Sequence, residues 1–321
     1  MIKRIAPAIG LFFLAPLVAE FLLGDLPINM LGVLAILAPL YGGGALLVRE
    51  VARRRGLGWP GILVLALAYA VVEEAFTTQT LFNPNYLHLN LHLLAPAYIP
   101  SLGIGAWWTV FVLTLHTVWS ISTSIALMEA MVPDRAAVPW LGWPGLAVIA
   151  VLFTLAAVAS TKFEIKQDHF IASKAQFTAS AVVCIVLIVI GLLLRQKAIV
   201  RTVGWVPSPW LVGAAALVAG SVFLIVPNAW GWLAVGVYIL LYAGMIAFAG
   251  IASHHIGWDG RHRFALAAGA SLAYAWHAFI QTPAVAAVIR VDRIGNAIFA
   301  AALLVFLFLA AKRTASQPNA A

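Results

Sequence analysis

The sequence predicts an all-α, polytopic integral membrane bundle of about ten transmembrane helices with both termini cytoplasmic. Three observations carry that expectation. Of 321 residues, 64% are apolar and only 9% charged, against roughly 45–50% and about 25% in a soluble domain. Apolar stretches of about 20 residues, the length that crosses a hydrocarbon core roughly 30 Å thick, recur along the whole chain. The basic residues fall in short clusters between them, on alternate connections. This composition excludes an ordinary soluble globule, a disordered chain and a disulfide-stapled scaffold, since Cys184 is the lone cysteine. The net charge of +8, from 19 basic against 11 acidic residues, reads as a topology signal rather than a nucleic-acid footprint.

The spans fall at approximately 5–24, 28–48, 60–82, 104–131, 144–161, 176–194, 209–226, 229–252, 264–282 and 294–311. The first follows Lys3 and Arg4, but it is long, holds Glu20 and lacks a small-x-small cleavage site. It therefore reads as a retained anchor. The boundary at Pro227-Asn228 separates the seventh and eighth spans. With the amino terminus inside, the inner connections hold Lys3, Arg4, Arg49, Arg53, Arg54, Arg55, Arg135, Arg195, Lys197, Arg201, Arg261, Arg263, Lys312 and Arg313. The outer ones hold Lys162, Lys166, Lys174, Arg290 and Arg293. An even number of spans follows, in one transmembrane domain over 1–321, as a multi-pass protein of the cell membrane.

Between the spans, three local features stand out. The outer loop of about 83–103 has no Lys or Arg. Its run Asn85-Tyr86-Leu87-His88-Leu89-Asn90-Leu91-His92 alternates polar and apolar residues, which predicts an extended path. Gly58-Trp59-Pro60-Gly61 and Gly142-Trp143-Pro144-Gly145 both open a span from the inner side, with Pro where a helix's first turn tolerates it. Gly42-Gly43-Gly44, after Tyr41, allows either close helix packing or local unwinding.

The informative residues are acids inside apolar spans. Glu20, Glu73, Glu74 and Glu129 all fall there, and an acid at mid-bilayer costs on the order of 2.5–3.5 kcal/mol. Glu129 lies near the inner end of its span, where water or Arg135 can meet it. Glu73 and Glu74 lie about 14 residues from Trp59, hence roughly 21 Å along the helix. Adjacent helical residues point about 100° apart, so at least one faces the bundle interior. Glu20 sits at comparable depth on the first span. His116 on the fourth span and His277 on the ninth, with Gln281 one turn further out, complete a layer. No basic residue lies within the spans to answer these acids. Three states are open to them: protonated carboxyls bonded to Thr77, Thr78, Gln79 or backbone, protons shared with the histidines, or a bound cation.

This order of residues resembles the CPBP family of intramembrane proteases, which includes CAAX prenyl proteases and bacteriocin-processing enzymes. That family has Glu-Glu-x-x-x-Arg on one span, Phe-x-x-x-His on the next and His-x-x-x-Asn on a later one. Here Glu73-Glu74, His116 and His277-x-x-x-Gln281 follow in that order. Thr78 stands at the arginine position, Phe111 precedes His116 by five residues, and four extra spans separate the last two motifs. The resemblance covers about a dozen positions. It implies an intramembrane peptidase or hydrolase in which Glu73 or Glu74 activates water. His116 would help to hold that water, and His277 with Gln281 would stabilise the oxyanion. It implies no metal and no cofactor.

Two other functions fit the same residues. One is a proton- or cation-coupled transporter, with Pro16, Pro39, Tyr41-Gly42-Gly43-Gly44 and Pro283 as helix breaks. The other is an enzyme acting on lipid head groups or isoprenoids, with Asn83, Asn85 and Tyr86 as a polar lid over the cavity mouth beside Glu20. His88 and His92 lack a nearby third zinc ligand. His254, His255, Asp259 and His262, beside Arg261 and Arg263, read as a solvated inner loop. The expected partners are the lipid bilayer and a peptide or lipid-like substrate, with no nucleic acid.

Overall fold

The computed structural model describes residues 2–194, 201–283 and 288–316, so the inner basic residues Arg195 and Lys197 lie outside the described residues. Ten helical rods are laid out in chain order: α1 (Arg4–Leu22), α2 (Ile28–Arg55), α3 (Trp59–Thr77), α4 (Ala106–Met131), α5 (Trp143–Asp168) and α6 (Lys174–Leu193). They continue with α7 (Pro209–Ile225), α8 (Trp232–Ser253), α9 (Gly260–His277) and α10 (Arg290–Ala315). All but α7 and α9 are long and apolar enough by themselves to cross a membrane. The chain is an all-α polytopic membrane bundle.

Local chemistry sets the rod ends. Gly58 and Gly142 stand extended before a Pro in the first turn of α3 and α5, so the repeated Gly-Trp-Pro-Gly marks two similar helix starts. Ser173 and Gln176 form a capping box on α6, and Asp259 with His262 forms another on α9. Gly56 ends α2 at φ +65°, a conformation that costs glycine little. The loop expected to be extended is not. Leu87, His88, Asn90 and His92 have positive φ, which breaks any strand. The alternating polarity there reflects a folded loop, and a small hairpin pairs Tyr98–Ile99 with Ile104–Gly105.

Close approaches explain the glycine run. A Cβ on Gly42 would strike the Phe12 carbonyl of α1, one on Gly43 would meet Phe153 of α5, and one on Gly44 would enter the Tyr69 ring of α3. Helix α2 runs intact through all three, so the run serves packing and not unwinding. Gly269 on α9 lies equally tight against the Gly213 backbone of α7. Aromatic stacking fills the opposite side of the core, with Trp119 on Tyr274 at 4.8 Å and Phe111 on Phe223 at 5.2 Å. Helix α5 is peripheral: none of its most apolar stretch is buried, so that face meets lipid.

The inner ends of α2 and α4 hold a clasp that the span boundaries hid. Arg49 and Glu50 are fully buried. Arg49 pairs with Glu50 and Glu129, each at 2.9 Å, and Arg53 grips the Glu129 carboxylate with two nitrogens at 2.8 and 2.6 Å. Glu129 is therefore answered by Arg49 and Arg53, not by Arg135, whose side chain donates to the Arg4 carbonyl. Nor do all basic residues lie outside the helices, since α2 extends to Arg55. Glu50 accepts from the backbone of Trp140 and Leu141, and Arg49 stacks 3.2 Å from the Trp140 ring centroid. The clasp fastens the α4–α5 connection to α2.

Candidate functional site

Three rods depart from regular α-helix at the same layer. Leu17–Leu22, Val72–Thr77 and Leu115–Thr123 are π-helical, and they carry Glu20, the pair Glu73-Glu74, and His116. The wider turn is visible in bonds of i to i+5 spacing, from Thr78 N to Glu73 O at 2.9 Å and from Asp25 N to Glu20 O at 3.0 Å. Such turns swing the following side chains out of α-helical register, and they concentrate at functional sites. Here they let two sequence neighbours reach one target.

That target is the His116 ring. Glu73 Oε2 lies 3.0 Å from Nδ1 and Glu74 Oε1 lies 2.8 Å from Nε2. Glu73, Glu74 and His116 are all buried. The surrounding side chains hold the arrangement. Glu74 accepts from the hydroxyls of Thr78 and Thr80, and Trp108 donates its indole N–H to Thr80 at 3.0 Å. Ser120, one turn along α4, meets His116 Nδ1 at 3.3 Å. Tyr41 and Tyr69 flank the imidazole with ring centroids at 5.9 and 6.5 Å. The Tyr69 hydroxyl and Glu73 Oε2 are both buried with no aligned hydrogen bond among the described residues.

Glu20 joins from α1. Tyr41 donates to it at 2.5 Å, and it lies within electrostatic range of Asp25, Glu73 and His116. His277 and Gln281 do not join. Among the described residues His277 makes no hydrogen bond or ion pair to Glu73, Glu74 or His116, and its Nδ1 is buried without a partner. Gln281 instead donates to Asp25 at 2.7 Å. The reason is that α9 ends at His277, so Gln281 lies beyond the helix and turns toward the α1–α2 connection.

The expected lid divides. Asn83 is buried and donates to Asp168 at 2.6 Å, and Asp168 also accepts from Leu87 N. The Asn85 backbone in turn donates to Asn83 Oδ1. Asn83 and Asn85 thus pin the loop to the end of α5 and do not face the acids. For Tyr86, burial, then the negative charge of Glu164 and Glu74, holds the phenol well above its ordinary ionisation range. His88 meets the Gln167 carbonyl at 3.0 Å. At the inner loop, His262 is buried between Asp259 and the Pro207 carbonyl, so it serves as a helix cap rather than a solvated group.

The chemistry open to this cluster is proton transfer or cation ligation. Glu73, Glu74 and His116 can each offer one ligand atom, all within 4.8 Å of one another, and carboxylate and imidazole donors suit a borderline divalent ion. Sequence reasoning found Glu20, Glu73, Glu74 and His116 from their depth. It missed Tyr69, Thr80, Trp108 and Ser120, although Tyr69–Glu73 and His116–Ser120 carry the i, i+4 spacing that places side chains on one face.

No curated protein and no solved structure matches the chain. A family model described as an uncharacterized membrane protein family matches residues 11–316. That match takes in every residue of the Glu/His cluster, and the chain belongs to this family.

Proposed function

We propose that the protein is a hydrolase of the cell membrane, acting on a peptide or lipid-like substrate with a glutamate-activated water. One observation carries the reading: a single buried imidazole set between two carboxylates, at 3.0 and 2.8 Å, on π-helical turns. A carboxylate in a poorly hydrated site is a strong enough base to take a proton from water as the oxygen attacks a carbonyl carbon. Glu73 is the base in this reading: its Oε2 faces His116 Nδ1 at 3.0 Å, whereas Glu74 also takes the hydroxyls of Thr78 and Thr80. The proton then passes to the leaving group, while His116 and Glu74 keep the local charge balanced. Tyr69, beside Glu73, is the donor assigned to the oxyanion in this reading, a role that the contacts of His277 and Gln281 do not support.

The runner-up is a proton-coupled transporter. It draws support from the line of acids Asp25, Glu20 and Glu73, which reaches from the α1–α2 connection to His116. The helices that carry the cluster weigh against it, since Arg4–Leu22, Trp59–Thr77 and Ala106–Met131 are each one uninterrupted segment where carriers use discontinuous helices. The test uses purified full-length protein and its Glu73→Gln, Glu74→Gln and His116→Ala variants. They are assayed on a quenched peptide and lipid-ester panel and, in liposomes, for proton flux. Cleavage by wild type that falls at least about 100-fold in Glu73→Gln, the usual worth of a general base, supports the hydrolase. Flux lost without any cleavage overturns it in favour of the carrier. Repeating cleavage after chelation separates a bare glutamate from a metal-assisted one.

A further inference from the structure

At the inner face, the end of α4, the α4–α5 connection and the end of α10 enclose a concavity of about 320 Å³ lined by Met131, Asp134, Arg135, Arg313 and Ser316, among others. Two arginines from distant parts of the chain converge on it. Each commits one nitrogen to a backbone carbonyl: Arg135 to Arg4 O at 2.8 Å, and Arg313 to Met131 O at 2.7 Å. Neither forms an ion pair with a carboxylate among the described residues, unlike Arg49, Arg53 and Arg54 nearby. The remaining guanidinium N–H groups stay charged, on residues that line the concavity. Lys312, packed over the Phe308 ring at 4.3 Å, and Arg4 add positive charge at the same level. Asp134 lines the same concavity and sets one negative charge against these four basic residues.

We infer that this concavity binds the phosphate of an anionic phospholipid from the inner leaflet. Charge complementarity selects the headgroup. A guanidinium fork matches two phosphate oxygens, and each basic side chain near the leaflet surface contributes about 1 kcal/mol toward an anionic lipid. The position selects the lipid over a soluble anion. The concavity lies at the ends of α4 and α10, and Leu304, Val305 and Phe308, which precede Arg313 on α10 by roughly one to three turns, are exposed and offer a face to acyl chains. The bound lipid would bridge the α4–α5 connection and the end of α10, which lie far apart along the chain.

The experiment is native mass spectrometry and thermal unfolding of the full-length protein in neutral detergent. Phosphatidylglycerol, phosphatidylcholine and inorganic phosphate are titrated separately. Phosphatidylglycerol is expected to bind roughly tenfold more tightly than phosphatidylcholine and to raise the melting temperature, with the preference shrinking at high salt. The double variant Arg135→Gln/Arg313→Gln should lose the preference. Those arginines also brace two carbonyls, so Ser316→Glu serves as an independent test: it keeps both and places a negative charge in the concavity, and it too should abolish the preference. Substitution of the outer-face Lys174→Gln should not. Equal binding of the two lipids, or a preference that survives in Ser316→Glu, overturns the inference. Phosphate alone matching phosphatidylglycerol overturns it as well, since the occupant would then be a free anion.

Discussion

Tyr41 donates its phenol hydroxyl to Glu20 at 2.5 Å, and this bond ties α2 to α1 beside the His116 ring. A carboxylate at this depth has few ways to be solvated, and Tyr41 supplies one from a neighbouring rod. The glycines that follow Tyr41 let α2 approach α1 closely enough for the bond to form. The polar site and the small-residue packing are therefore parts of one arrangement.

Removal of that hydroxyl tests the coupling. Tyr41→Phe leaves the Glu20 carboxylate without its donor and should cost about 1–3 kcal/mol, the penalty for an unsatisfied buried group. Tyr41→Phe/Glu20→Leu removes both partners and should be less damaging than Tyr41→Phe alone. Unfolding in a detergent titration decides the point. Additive losses from the two substitutions would mean that the residues are not coupled.

The glycine run permits an ordered prediction. Ala at Gly42 meets backbone and at Gly44 meets the Tyr69 ring, whereas at Gly32 a Cβ meets nothing within 4 Å. Overpacking costs about 1–3 kcal/mol, while Gly→Ala in an open helix gains up to about 1 kcal/mol. Gly42→Ala and Gly44→Ala should therefore lower the melting temperature, and Gly32→Ala should leave it level or raise it. If Gly44→Ala is neutral, Tyr69 is not held by α2.

What the sequence made legible follows from what it records. Lengths of apolar runs and the placement of arginines report the bilayer directly, so the rods were found with their ends shifted by up to seven residues, as at the ends of α2 and α5. Depth along a rod is also countable, and it brought out Glu20, Glu73, Glu74 and His116 together. Rotation about a rod is not countable once π-helical turns intervene, because each adds a residue to the turn. Direction at a rod's end is no better specified. His277 shares the depth of the other groups but sits at the last turn of α9, and Gln281 turns away to Asp25. The Arg49–Glu129 pairing was obscured for a simpler reason: α2 continues to Gly56, and only a glycine in the cap position marks that end.

The inner clasp should be among the costliest places to mutate. Glu129→Gln strips the charge that Arg49 and Arg53 share, and breaking a buried pair from one side costs about 3–5 kcal/mol. Arg135→Ala leaves the Glu129 carboxylate with both of its partners and should cost about 1 kcal/mol or less. Expression level and melting temperature of the two variants compare them directly. Equal effects would restore Arg135 as the partner of Glu129.

Asp259, in the inner loop ahead of α9, offers a test by pH. Burial raises its carboxyl, but the hydrogen bond with His262 and those from Arg261 outweigh that and hold it below the ordinary aspartate value. A depressed acid stabilises the fold fully above its unfolded value, about 3.9, and that contribution fades as pH falls through the folded value. Asp259→Asn keeps an N-cap oxygen but has no charge to lose. The melting temperature of the wild type should exceed that of Asp259→Asn by a constant margin from pH 7 down to about 5. The margin should narrow below about pH 4. Asp259→Ala loses the cap as well and should fall by about 1 kcal/mol more at every pH. A margin that widens on acidification would reverse the sign and mean that the carboxyl is held above its ordinary value, with burial dominating over His262 and Arg261.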